Sequence, residues 1–254
     1  TVYKKKMLAA QQKFEDATTP EEKSNYAALV SRYANLQLTK KECLNSAYGA
    51  LGNQYFRFFD VRQAEGITMA GQLSIRWIEK KLNQYLNKVL QTNAFDYVLA
   101  SDTDSVYLNL ELLINKVFGE KEYSKQKAIE VMDKFCEEKL QPFIDESYTE
   151  LATYLNSYSQ KMVMKREVLA DKAIWTAKKR YILNVYNSEG VQYTEPQMKI
   201  QGLEAIKSST PGACREKIKS ALKLLVLGEQ EQVQEYIAAF KDEFKKLPVE
   251  DIAF

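Results

Sequence analysis

The sequence contains no histidine. Imidazole is therefore excluded as a general acid or base and as a metal ligand, and with it the His-containing zinc sites. Cysteine is scarce and scattered. Cys43, Cys136 and Cys214 lie far apart with no Cys-x-x-Cys, so neither a disulfide framework nor a thiolate metal site is expected. Buried thiols in a reducing cytoplasm are the favoured reading of the three. No apolar run approaches the length of a bilayer span and no secretory pattern opens the chain, so no membrane partner is expected. An excess of charge is missing too. The net value is +2, although basic residues cluster at Lys4-Lys5-Lys6, Lys40-Lys41 and Lys178-Lys179-Arg180. With imidazole and thiol chemistry set aside, carboxylates and lysines remain as candidates. At 254 residues, 45% hydrophobic and 28% charged, the chain fits one large or two modest globular domains. It has no initiating methionine and its first residues already read as helix, so it is expected to begin inside a larger element.

What is present centres on residues 98–109, Val-Leu-Ala-Ser-Asp-Thr-Asp-Ser-Val-Tyr-Leu-Asn. Apolar, β-branched and aromatic residues flank two acids, which predicts two short strands with Ser101–Ser105 as the turn. Alternation along a strand would turn Asp102 and Asp104 to the same side. Two carboxylates held close repel, and a bound divalent cation relieves them. Oxygen ligands without sulfur or imidazole favour Mg²⁺ or Mn²⁺. Taken alone, an Asp-x-Asp pair is as readily a solvated turn.

In chain order, residues 2–16 predict a helix. Thr19-Pro20-Glu21-Glu22 carries an N-cap, a first-turn proline and a capping-box acid, so a second helix starts near residue 20. It should run to Leu51, with a break near Asn35, and stop at Gly52. Lys41, Asn45, Tyr48 and Gly52 share one face. Asn45 and Gly49 are poor mid-helix residues, which suggests that something approaches closely there; a solvated face is the alternative. Residues 55–60 predict a strand or an extended packing segment. A helix over 62–92 carries the stripe Ile67, Ala70, Gly71, Ser74, Ile78, Leu82, Tyr85 and Val89. A helical stretch over 124–155 should kink near Pro142. Strands are expected at Met162–Leu169, Ile174–Tyr186 and Gln192–Ile200. In the second, Lys179 and Tyr181 would face one side, and Lys178, Arg180 and Ile182 the other. Helices follow from Pro211 to Gly228 and on to Leu247. The order predicts an α+β fold.

Several of these stretches together resemble the family B DNA polymerases, most closely those of T-even-type bacteriophages. Asp102-Thr103-Asp104-Ser105 is similar to the family's Asp-Thr-Asp-Ser motif. Lys41-Glu-Cys-Leu-Asn45-Ser46-Ala-Tyr48-Gly49 resembles Lys-x-x-x-Asn-Ser-x-Tyr-Gly. Lys178-Lys179-Arg180-Tyr181 resembles a Lys-Lys-Arg-Tyr segment, and Gly202-Leu203-Glu204 with Ser208-Ser209-Thr210-Pro211 the passage from palm to thumb. Lys4 with Met7–Gln11 is similar to the first fingers helix. The matches keep the family's order across nearly the whole chain.

The resemblance implies a DNA-directed DNA polymerase using two Mg²⁺ ions, with Mn²⁺ as a substitute. It implies fingers over 1–53, the C-terminal part of a palm with an antiparallel sheet over 54–205, and the beginning of a helical thumb over 206–254. Asp102 and Asp104 would be metal ligands and, with Lys41, catalytic. Lys4, Lys41, Asn45 and Tyr48 would bind the dNTP. Tyr48, Gly49, Lys179, Arg180 and Tyr181 would contact primer–template DNA, and Glu167 would be a supporting carboxylate. A sliding clamp is a further implied partner, and a phage replisome in bacterial cytoplasm the implied setting. The family's first polymerase motif, Asp-x-x-Ser-Leu-Tyr-Pro, occurs nowhere in these residues. The chain alone is therefore expected to be inactive, and a separate polypeptide carrying that motif and the exonuclease is a partner to expect if the polymerase is split. The position two before Glu167, acidic in close relatives, is Lys165. A non-catalytic module that binds duplex DNA or a replisome partner is the second reading.

Overall fold

The structure is a computed structural model that describes residues 2–119 and 122–252. The chain divides into two compact units, Thr1–Gln72 and Leu73–Phe254.

The first unit is a helical hairpin with the start of a third helix. α1 (Val2–Asp16) and α2 (Pro20–Leu51) follow the sequence signals closely. Thr19 is extended, its hydroxyl accepts from the Glu22 N–H at 3.3 Å, and Pro20 opens the first turn. The Glu22 carboxylate accepts from that same hydroxyl at 2.9 Å. The break expected at Asn35 is absent. Between Pro20 and Gly49 there is no glycine or proline to interrupt the ladder, and the Thr39 hydroxyl donates back to the Asn35 carbonyl at 2.9 Å. Gly52 ends α2 with its N–H donated to the Gly49 carbonyl at 3.2 Å. The strand expected over 55–60 is instead a run of turns. Phe56 donates to Asn53, Phe59 to Phe56, and Asp60 returns to the Leu51 carbonyl at 3.1 Å. These bonds occupy backbone groups that a strand would offer to a partner. Asp60 then starts α3 (Val61–Leu90) by accepting from the Arg62 backbone and guanidinium.

In the second unit, α3 buries Ser74, Ile78, Leu82, Leu86 and Leu90. Spaced four residues apart, this row keeps Ser74, Ile78 and Leu82 of the expected stripe and continues to Leu86 and Leu90, whereas Ile67 and Val89 are exposed and Tyr85 is half-buried against the Phe143 ring. A row at this spacing slants across the helix surface, as in helices that cross their neighbours at an angle. The core also takes Tyr97, Leu113 of α4 (Glu111–Phe118), Met132 of α5 (Lys125–Phe135), and Ile144, Tyr148 and Leu151 of α6 (Gln141–Tyr154). α4 was not anticipated by the sequence pattern. The interruption expected near Pro142 takes the form of a π-helical turn, Cys136–Leu140, in which Gln141 donates to the Cys136 carbonyl. Widening the turn there accommodates a ring that lacks an N–H and would otherwise meet the Glu138 carbonyl.

Two separate antiparallel sheets complete the unit, confirming the α+β class. One pairs β1 (Val98–Asp102) with β2 (Ser105–Leu108). The other is ordered β3 (Val168–Ala177), β4 (Arg180–Ser188), β5 (Val191–Gln201). Two strand expectations need correction. The segment 162–167 forms no strand; pairing begins at Val168, with the Glu167 carbonyl accepting from the Glu189 N–H at 2.7 Å. The expected strand Ile174–Tyr186 is cut by a turn at Lys178-Lys179, where Lys179 has φ +62°, so strand alternation does not assign the faces of Lys178 and Lys179. The turn at Asn187–Gly190 matches expectation. Glu189 and Gly190 both have positive φ, as a two-residue hairpin link requires, and Asn187 Oδ1 accepts from the Gly190 N–H at 3.2 Å. β4 is covered on both faces: Tyr181, Leu183 and Val185 meet Tyr107 and Trp175, while Ile182 meets Leu203 and Val226. Val226 belongs to α7 (Gly212–Leu227), which is followed by α8 (Gln230–Phe244) and α9 (Val249–Ile252). Among the described residues no helix is long and apolar enough to cross a membrane.

Candidate active site

The β1–β2 hairpin closes on the pair Asp102–Ser105, leaving Thr103 and Asp104 as its link. Thr103 has φ +51°, and the Asp104 N–H donates to the Asp102 carbonyl at 2.5 Å. Strand alternation therefore stops at Asp102 and cannot by itself decide which way Asp104 points. The Asp102 side chain is 30% exposed, whereas Asp104 is open to solvent. The Thr103 hydroxyl donates to Asp102 Oδ1 at 3.0 Å, and the Ser105 hydroxyl to the Asp102 carbonyl at 3.2 Å.

A second turn comes to this hairpin. Lys179 Nζ lies 3.6 Å from Asp102 Oδ1, so the Asp-Thr-Asp-Ser and Lys-Lys-Arg-Tyr stretches meet in space. Several features hold the Lys179 turn. Gly202 has φ +68°, and a Cβ there would stand 2.2 Å from the Lys179 carbonyl oxygen, so only glycine lets the end of β5 lie against this turn. Arg180 donates to both carboxylate oxygens of Glu204, at 2.7 and 2.6 Å, and Lys207 donates to the same carboxylate at 3.1 Å. Its own backbone N–H, Lys207 and Arg180 hold the Glu204 carboxyl below its ordinary pKa. The guanidinium of Arg180 is thus engaged within the protein.

Tyr181 is buried, with its ring 5.5 Å from that of Tyr107. Burial pushes its phenol pKa upward, helped by the bond to Tyr107 and by the negative charges of Glu167 and Asp102. These groups therefore share one neighbourhood. Glu167 accepts from Lys199 Nζ at 2.5 Å. Among the described residues no three Asp, Glu, Cys or His side chains gather as a metal cluster.

The remaining candidates belong to the first unit. Lys41, Asn45, Tyr48 and Gly49 on α2 are all exposed, and Lys4 on α1 is half-buried. Lys6 Nζ of α1 lies 6.0 Å from the centre of the Tyr33 ring of α2. The Tyr48 and Thr68 hydroxyls are 2.8 Å apart. Thr68 spends its proton on the Ala64 carbonyl at 3.0 Å, so Tyr48 is the donor. A Cβ at Gly49 would meet nothing within 4 Å, so the described packing does not require glycine there.

Sequence reading missed Thr68, Tyr107 and the supporting roles of Gly202 and Glu204. The glycine carried a signal, since it breaks the end of a strand. The partner of Glu204, twenty-four residues away, carried none.

Protein-family models give no match to the chain. Three polymerases do match. The chain is 42% identical over 225 residues to the DNA-directed DNA polymerase of Enterobacteria phage T4, covering 85% of this chain and 25% of the relative. It is 41% identical over 198 residues to that of Escherichia phage RB69, covering 75% and 22%. It is 29% identical over 191 residues to the DNA polymerase of Choristoneura biennis entomopoxvirus, covering 65% and 18%. The chain thus spans about a quarter of the length of the two phage relatives. Over the residues it shares with them, the chain is similar to a fragment of the DNA-directed DNA polymerases of these two phages.

Proposed function

We propose that the chain supplies the nucleotide-gripping and metal-holding part of a DNA-directed DNA polymerase. The observation that carries this reading is the 3.6 Å approach of Lys179 to Asp102. Two stretches far apart in sequence, each resembling a polymerase motif, converge at one point. Under this reading α1 and α2 are fingers, the two sheets with α3–α6 are palm, and α7–α9 begin a thumb.

The donor set fits a hard divalent cation in part. Asp102 offers carboxylate oxygens beside an ammonium, which marks the spot as one that attracts positive charge, and Asp104 adds a second carboxylate in the same turn. With a cation bound, the two carboxylates would leave further ligand positions to water, to substrate phosphate and to the aspartate of the first polymerase motif. Two-metal catalysis is the established scheme for polymerases as a class and is taken over from that class. When bound, the ions would supply Lewis-acid stabilisation of the reacting phosphate and its leaving group.

The chain's own residues do the rest. Lys41 and Lys4 neutralise the triphosphate, and Asn45, one turn from Lys41, hydrogen-bonds it. The exposed Tyr48 face and the open space at Gly49 admit the nascent base pair. Lys179 meets minor-groove acceptors, which every correct pair offers, so the contact needs no particular sequence. Arg180 orients the turn through Glu204.

The test is primer extension. The chain is expressed in one reading frame behind a segment carrying Asp-x-x-Ser-Leu-Tyr-Pro. Mg²⁺-dependent extension is expected, and its loss in Asp104→Ala. No extension from a fusion that is folded would overturn the proposal.

A further inference from the structure

Asp102 already holds a cation of its own. Lys179 Nζ sits 3.6 Å from its Oδ1, where the carboxylate is only 30% exposed. An ordinary surface pair in this chain, Lys245–Asp242 at 3.2 Å, has both side chains more than 70% exposed. The Lys179 contact also has a conformational cost that the surface pair lacks. Its residue is a non-glycine at φ +62°, a region that L side chains adopt only at a cost. The turn is kept there from two sides: Gly202 leaves room for the Lys179 carbonyl, and Glu204 grips Arg180 with both oxygens. The bracing acts on the backbone of the turn, while the Lys179 side chain itself is 61% exposed.

We infer that Lys179 is a resident counter-ion for Asp102, one that a divalent cation must displace before it can bind there. The inference rests on the reading of Asp102 as a metal ligand, and it adds a sign to that reading. An ammonium and a divalent ion cannot both sit against the same oxygen without repelling each other. Removing the ammonium therefore tightens cation binding. A lysine that merely helped to shape the site would do the opposite when removed. Lys179 is also the residue assigned above to the DNA minor groove, so cation loading and duplex contact draw on one group.

The experiment is a Mn²⁺ titration of the intact chain at low salt, with free Mn²⁺ read by electron paramagnetic resonance. Wild type is compared with Lys179→Met, Lys179→Arg, Asp102→Asn and Asp104→Asn. Lys179→Met should bind Mn²⁺ about three- to fivefold more tightly, the size expected for one partly exposed ion pair. The gap should narrow as salt is raised. Lys179→Arg, which keeps the charge, should stay near wild type. If Lys179→Met misfolds by circular dichroism, Lys179→Gln repeats the test. Equal or weaker binding in the charge-free variant, with both Asp→Asn variants weakened, overturns the counter-ion role and leaves the metal reading standing. No Mn²⁺ binding by wild type or any variant sinks both.

Discussion

Not one side chain of α2 is buried along its 32 residues, whereas the second half of α3 drives Ile78, Leu82, Leu86 and Leu90 into an apolar core. Both are long helices, and both are expected from sequence. They are stabilised differently. α2 relies on local signals: a threonine cap, a first-turn proline, acids at residues 21 and 22, and an uninterrupted ladder. α3 relies on burial. The difference agrees with the chemistry proposed for each. Under the proposed reading Lys41, Asn45 and Tyr48 would meet a ligand, and they are open to solvent. The acids at 102 and 104 would hold a cation, and they sit on a hairpin whose Tyr107 packs into the aromatic cluster of β4.

That contrast can be broken most forcefully in the core. Leu86→Ala removes a fully buried side chain and should cost about 2–5 kcal/mol, read from urea unfolding by Trp77 and Trp175 fluorescence. Leu44→Ala, at a site 74% exposed, should stay within about 0.5 kcal/mol. Equal costs would erase the distinction between the two helices. A smaller loss is expected at the braced turn. Gly202→Ala places a Cβ against the Lys179 carbonyl at a left-handed φ, and should cost about 1–3 kcal/mol by thermal melting. A neutral result would mean that the turn yields without penalty. The smallest effect sharpens the comparison from the other side. Thr19→Ala removes the α2 cap and should cost about 1 kcal/mol, seen in helical ellipticity on heating. No change would show that α2 does not depend on its cap.

Sequence reading succeeded where a signal is local. The Thr19-Pro20 start, the Gly52 stop, a turn within the expected Ser101–Ser105 segment and the Asn187–Gly190 turn each rest on residues that act on their own backbone. It failed where tertiary partners decide. Residues 55–60 carry strand-forming aromatics, yet their backbone groups close turns. Lys178-Lys179 sits inside a β-favouring run, and what bends it is packing against Gly202. The row on α3 keeps a four-residue spacing, so the expected stripe leaves the buried face at Tyr85 and Val89. At the candidate site the residue types and their order were legible. The meeting of Lys179 with Asp102 was not, because no spacing rule joins two hairpin turns from separate sheets.

The most direct test of the central claim measures two affinities on one variant, Asp104→Ala: Mn²⁺ by electron paramagnetic resonance and primer–template duplex by fluorescence anisotropy. The polymerase reading predicts that Mn²⁺ binding is lost while duplex affinity is kept. Unchanged Mn²⁺ behaviour, with duplex binding intact, would contradict it and leave a DNA-binding module whose two turn acids hold no metal.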